Sequence, residues 1–279
     1  MPNGKSLHIG LNSVDPNHYS GWSGPLTACE ADAHDMLSIA EKSGFINHIL
    51  LTGTATRQNV INEIEKSANT LEAGDIFMLS YSGHGGQLPD WNGDETDQQD
   101  ETWCLYDGQL VDDEIYSLLG KFQEGVRILV FSDSCHSGTI TKSAYYYGTN
   151  RPALMSWDQP SSTVYRAMPD DIALKVYQDN KDSYDKILKD LSLKKSKESI
   201  SASVLLISGC QDNQLSNDGA FNGLFTGKLL RTWSGGNFIG NYKDFHKAIL
   251  RGMPPDQSPS YYLVGTPNTA FENQVPFTI

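Results

Sequence analysis

Apolar and polar positions along this chain switch repeatedly between a strand-like and a helix-like period, and the alternation predicts an α/β protein. Leu7-His8-Ile9-Gly10-Leu11 reads as a first strand. Leu26 to Ser43 carries helical spacing and is stopped by Gly44. Phe45 to Leu51 is a second strand, and Thr56 opens a helix to about Leu71 whose amphipathic pattern is clearest from Asn59 to Ile64. Two further runs, Asp75 to Ser82 and Val126 to Ser132, are apolar at nearly every position. Strands of that kind are buried on both faces of a parallel sheet. Between them lie a polar stretch from Gln87 to Gln99, a small hairpin (Thr102 to Tyr106, the turn Asp107-Gly108, Gln109 to Val111) and a helix from Asp112 to Phe122.

The regular pattern then breaks. Thr139 to Ser201 shows no clean strand and holds a Tyr cluster at Tyr145, Tyr146 and Tyr147, several prolines, and a Lys-rich helical piece from Asp171 to about Lys195. Order returns with a fifth strand at Ser203 to Ser208, helices from about Gly219 to Trp233 and from Tyr242 to Arg251, and a sixth strand at Ser260 to Val264. Six strands with interleaved helices predict one mostly parallel sheet covered on both faces. There is no internal repeat.

Composition narrows the function classes. The 279 residues allow a sizeable core. A net charge of −13 argues against a nucleic-acid partner and favours cationic substrates. No apolar run is long enough to span a bilayer, and the segment Met1 to Ser6 does not read as a signal peptide. Cys29, Cys104, Cys135 and Cys210 are scattered without a CxxC pair, which suits a reducing, cytoplasmic setting.

Two motifs end the two most apolar strands. Tyr81-Ser82-Gly83-His84-Gly85-Gly86 follows the third, and Asp133-Ser134-Cys135-His136-Ser137-Gly138 follows the fourth. Functional groups in such sheets gather outside the carboxyl ends of the strands, so His84 and Cys135 are expected to face one another. A thiol beside an imidazole is a nucleophile with its base. Taken singly, Cys135 would read as a core thiol and His84 as a loop histidine; their joint placement favours catalysis. His136 is a rival base, but on an extended segment its side chain points away from that of Cys135.

These two motifs resemble those of the metacaspases, the caspase-like cysteine peptidases of bacteria, plants, fungi and protists. The spacing also fits the caspase arrangement, with the His about 50 residues before the Cys. The resemblance implies the caspase-like three-layer fold. Residues 1–143 correspond to its larger p20-like part, 144–200 to an insertion or linker, and 201–279 to its smaller p10-like part. It implies His84 as general base, Cys135 as nucleophile, and the backbone N–H groups of Gly85 and Cys135 as the oxyanion hole. It also implies cleavage of protein or peptide substrates after Arg or Lys, with Asp32 and Asp133 holding the basic side chain and Cys29 and Ser82 lining the pocket. Two carboxylates beside a buried cleft repel one another, and a cationic group relieves that repulsion. Read alone, Asp32 is a first-turn helix carboxylate and Asp133 a strand-end turn residue. A silent caspase-like binding module and a peptidase of the same clan with a different first pocket are the alternatives.

The family often uses calcium. Its ligand positions correspond to Asp100, Asp112 and Asp113, with Lys142 where a fourth carboxylate is expected. Either the three carboxylates hold Ca²⁺ weakly, or the Lys142 ammonium takes the ion's place. The resemblance further implies self-cleavage between the two halves, expected after one of the basic positions Arg151, Arg166, Lys194, Lys195 or Lys197, all read as exposed.

Overall fold

The computed structural model describes residues 2–89, 99–134, 165–190, 200–209, 218–219, 221–254 and 257–279. Its centre is a six-stranded sheet in the order β2-β1-β3-β7-β8-β9. The strands are β1 (Gly4–Gly10), β2 (Ile46–Leu51), β3 (Ile76–Ser82), β7 (Arg127–Asp133), β8 (Ser203–Ser208) and β9 (Ser260–Gly265). All neighbours are parallel except β8 and β9. This is the mostly parallel sheet that the apolar pattern predicts, with helices on both faces.

The burial of β3 explains its sequence. Phe77, Leu79 and Tyr81 point to one layer, with Val60 and Ile64 of α2 (Arg57–Ala68) and Leu118 and Leu119 of α3 (Asp112–Leu119). Ile76 and Met78 point to the other, with Met36 and Ile39 of α1 (Cys29–Lys42). That second layer also holds Phe225 and Leu229 of α6 (Leu224–Trp233) and Phe245 and Ile249 of α7 (Tyr242–Arg251). A short α8 (Thr269–Asn273) closes it with Phe271. A strand with no solvent face has no polar positions to alternate with.

Two local readings are corrected. The polar stretch after His84 opens with a strand, β4 (Gly85–Pro89), which pairs antiparallel with β5 (Gln99–Leu105), itself paired with β6 (Gly108–Val111). The hairpin is therefore a three-stranded sheet; glycines hid β4, because they pack no side chain and carry no period. The Lys-rich helix is two helices, α4 (Asp170–Asp179) and α5 (Lys181–Leu188), broken at Asn180. The Asn180 amide donates to the carbonyls of His18 and Val176, so a tertiary contact sets the break. Val176, Tyr184 and Leu188 pack with Val14, Tyr19, Leu88 and Met168 over the small sheet.

Candidate active site

The carboxyl ends of β3 and β7 are neighbours. Ser82 is the register partner of Asp133, and the Gly83 N–H donates to the Asp133 carbonyl at 3.4 Å. His84 and Ser134 follow directly on these two tips. Cys135 itself, with His136, Lys142, Arg151, Lys194, Lys195 and Lys197, lies outside the described residues.

His84 is buried and tightly framed. Its carbonyl accepts the Tyr81 hydroxyl at 2.7 Å and the Cys104 N–H at 2.9 Å. Its Nε2 stands 2.9 Å from the Gly24 carbonyl, and the Trp22 ring leans on the imidazole at 4.7 Å. A carbonyl only accepts, so the neutral ring carries its proton on Nε2 and keeps a lone pair on Nδ1. Among the described residues Nδ1 has no hydrogen-bond partner. Burial lowers the His84 pKa to about 4, so the imidazole is neutral at neutral pH. Gly24 sits at φ +50, and a Cβ there would come within 2.8 Å of His84 Nε2 and 2.7 Å of the Trp22 ring.

Beside this imidazole is an acidic pocket. The Asn12 side chain accepts the N–H groups of Cys29 and Glu30 and so fixes the first turn of α1, which turns Asp32 inward. Asp32, Asp133 and Ser82 are all buried, and the Ser82 hydroxyl donates to Asp32 at 2.8 Å. The amino end of α6 supplies further donors. The Gly223 N–H reaches Asp32 Oδ1 at 3.0 Å, while the Thr226 N–H and hydroxyl reach Asp133 Oδ2 at 3.1 and 2.7 Å. Gly223 has no room for a side chain, since a Cβ would lie 2.5 Å from both Asp133 and the guanidinium described next.

Arg166 fills the pocket. Read from sequence as an exposed basic position, it is 0% exposed in the structure. Its guanidinium stands 2.8 Å from Asp32, 3.1 Å from Asp133 and 3.0 Å from Asp218, and it donates to Ser82 at 2.8 Å. The reason for the correction is charge: buried carboxylates recruit a cation that solvent would otherwise keep. Burial works against the charge on Arg166, but the three carboxylates outweigh it and hold its pKa well above the ordinary value. Burial, with the neighbouring Asp133 charge, pushes the Asp32 carboxyl up to about 6 even beside Arg166. Burial likewise pushes the Cys29 thiol up to about 12, so Cys29 stays protonated and is no rival nucleophile.

His84, Gly85, Ser82, Cys29, Asp32 and Asp133 are therefore gathered at one edge of the sheet. Asp100, Asp112 and Asp113 are not among them. Thr102 of β5 pairs with Val111 of β6, which brings Asp100 and Asp113 to one end of the small sheet. Among the described residues no three His, Cys, Asp or Glu side chains are grouped to hold a metal ion. Gly24, Thr226, Asp218 and the buried role of Arg166 had no sequence signal. Each is a loop or helix-end residue whose partner lies far along the chain.

A family model described as the caspase domain matches residues 14–271. The chain is similar to Metacaspase-1 of Schizosaccharomyces pombe, 30% identical over 259 residues, covering 81% of this chain and 57% of that protein. It is similar also to Metacaspase-1 of Saccharomyces cerevisiae, 34% identical over 160 residues, covering 52% of this chain and 36% of that protein. The chain thus spans 36% to 57% of the length of these two relatives. Among solved structures it resembles protein GSU0716 from Geobacter sulfurreducens, with a TM-score of 0.87, 56% identity and 99% of each chain covered.

Proposed function

The chain belongs to the caspase-domain family, and on that premise we propose that it is a cysteine endopeptidase hydrolysing peptide bonds after Arg or Lys. The observation that carries the specificity is the pocket itself. Asp32 and Asp133, below the tips of β3 and β7, already enclose a complete guanidinium. An acidic side chain there would meet three carboxylates, so cleavage after Asp is disfavoured by repulsion.

The chemistry follows from the imidazole. His84 Nδ1 takes the proton of the Cys135 thiol, and the thiolate attacks the scissile carbonyl carbon. Negative charge develops on the carbonyl oxygen, where the N–H of Gly85, and by family resemblance that of Cys135, receives it. Collapse breaks the C–N bond while His84 returns the proton to the leaving amine. Water then hydrolyses the thioester, releasing the carboxylate and restoring the thiol. The Gly24 carbonyl serves throughout as the orienting partner, because it fixes the tautomer and steadies the imidazolium.

A peptide library varied at the residue before the scissile bond tests this reading. Cleavage after Arg and Lys is expected in the parent and none in Cys135→Ala. Asp32→Asn or Asp133→Asn should weaken Arg substrates through the loss of a charge-assisted contact worth ~1.5–3 kcal/mol. Cleavage confined to Asp or Asn would overturn the pocket assignment. Failure of an active-site thiol probe to label Cys135 would favour a silent binding module.

A further inference from the structure

His84 is a loop residue that the chain on either side of it cannot cover. Gly83, Gly85 and Gly86 flank it and carry no side chains, yet His84 is only 4% exposed. Residues 12–26 bring two pieces of cover: the Gly24 carbonyl on Nε2 at 2.9 Å, and the Trp22 ring at 4.7 Å, tilted by 55°. That loop is built to present them. Its legs are joined by the Val14 N–H to the Ser23 carbonyl at 3.0 Å and by the Leu26 N–H to the Asn12 carbonyl at 2.8 Å. It is pinned at the end of β5 by the Asp15 N–H on the Tyr106 carbonyl at 2.9 Å and the Tyr19 hydroxyl on the Leu105 carbonyl at 2.7 Å. Ser20 and Gly21 take φ +53 and +88, and the Trp22 N–H closes on the Tyr19 carbonyl at 2.9 Å. A serine holds a left-handed backbone only where its surroundings require it, and such strain gathers at functional sites.

A tryptophan that only filled the core would be as buried as Tyr19, its 0%-exposed neighbour. Trp22 is only partly buried, at the margin of the cluster over the small sheet, with its ring on His84. We propose that Trp22 is the positioning residue of the general base: its ring keeps water off His84 and holds the imidazole on the Gly24 carbonyl, so that Nδ1 stays free to take the thiol proton. The proposal rests on the cysteine-peptidase reading above and adds to it a residue that acts through His84. A carbonyl can only accept from Nε2. Water can also donate to it, which would let the proton settle on Nδ1 and disable the base. Water would favour the imidazolium as well. Burial lowers the His84 pKa to about 4; the Gly24 carbonyl and the Asp218 carboxylate act to raise it, and the Arg166 guanidinium to lower it. Tyr81 and Cys104 meet the backbone of His84, through the hydroxyl and the Cys104 N–H. With the ring removed, burial lessens and the pKa rises towards 6.5.

The test uses the full chain and two independent readouts. The first is nitrogen NMR of the His84 ring, followed across pH in a Cys135→Ala background, where the thiol that the reading above sets on Nδ1 is removed. There His84 should carry its proton on Nε2 and titrate near 4. Adding Trp22→Ala should move the titration up by about one pH unit or more, towards the ordinary 6.5, and should mix the two tautomers. The second readout is kcat and KM for an Arg peptide across pH, with the Cys135 thiol in place. Trp22→Ala should lose about 10²-fold in kcat, as for a reacting group displaced by about 1 Å. KM should stay within about threefold, because Asp32 and Asp133 are untouched, and the acid limb of kcat/KM should move up with the His84 titration. Trp22→Phe restores a ring over the imidazole and should recover most of kcat and the parental acid limb. Trp22→Leu keeps an apolar anchor without a ring; it repeats the experiment, with the same expected losses, if Trp22→Ala melts early. A folded Trp22→Ala or Trp22→Leu protein with parental His84 titration would overturn the proposal and leave the peptidase reading standing. So would a loss confined to KM, or a folded Trp22→Phe as impaired as Trp22→Ala. Absence of turnover of Arg and Lys peptides by the parent, with the ring nitrogens still responding to Trp22, would instead defeat the peptidase reading.

Discussion

Gly24→Ala probes the least expected member of the site. The substitution keeps the carbonyl that faces His84 and adds one methyl group. At φ +50 that methyl costs about 1–2 kcal/mol in backbone strain alone. It would also lie 2.8 Å from His84 Nε2 and 2.7 Å from two Trp22 ring atoms, all closer than van der Waals contact. Trp22 packs against His84, so the imidazole cannot move that way. It must swing off the Gly24 carbonyl. A displacement approaching 1 Å at a reacting group costs about 10²-fold. Backbone strain of about 1–2 kcal/mol and overpacking of about 1–3 kcal/mol together lower Tm by about 2–4 °C per kcal/mol, and the thermal melt checks that the variant is folded. The measurements are kcat/KM on an Arg peptide, a thermal melt, and the rate at which iodoacetamide alkylates Cys135 across pH. The expected result is a ~100-fold drop in kcat/KM with a shifted alkylation profile. A folded Gly24→Ala protein within threefold of parental kcat/KM would refute the orienting role.

Thr226→Val keeps shape but deletes one of the two donors from Thr226 to Asp133, and should lower stability by ~1.5–3 kcal/mol in a urea titration. With the Asp32 carboxyl at about 6, KM for Arg peptides should rise as pH falls through 6, and Asp32→Asn should remove that limb. His8 lies in β1 between the Ser80 and Ser6 hydroxyls, and burial lowers its pKa to about 3. His8 and His84 are neutral in the fold but protonate at the usual 6.5 when unfolded. Stability should therefore fall as pH drops from about 6.5 towards 4, by about 1.4 kcal/mol per pH unit for each, and His8→Asn should remove its share of that slope in urea titrations at stepped pH. Calcium should stimulate the parent weakly or not at all, and Lys142→Asp should confer chelator-reversible stimulation; strong activation of the parent by micromolar calcium would contradict the lysine substitution.

Much of this molecule is legible from residue order because its decisive elements are local. β3 and β7 have no solvent face, so their sequences are apolar at most positions with no polar alternation, and the motifs at their ends inherit a position from the sheet. Asp32 and Ser82 are likewise reachable through the family pattern. The rest is encoded in contacts at long separation. Arg166 meets Asp32 across 134 residues and Gly24 meets His84 across 60. A guanidinium in a polar stretch reads as exposed unless the carboxylates that will bury it are known to converge. Gly24 carries no side chain to betray that its carbonyl is what matters.

The sheet order bears on what a broken chain would do. β7 lies beside β8, and between them the sequence runs through everything from 134 to 202, Arg166 included. Cutting there removes a tether and no strand pairing. The severed pieces would stay interleaved, β8 paired with β7 from Arg127 to Ser132 and the amino end of α6 still gripping Asp32 and Asp133. Such a heterodimer would co-migrate as one species in gel filtration. Once melted, though, it would have to reassemble by collision. Its recovery would then depend on dilution, whereas an unbroken chain refolds at a rate independent of concentration.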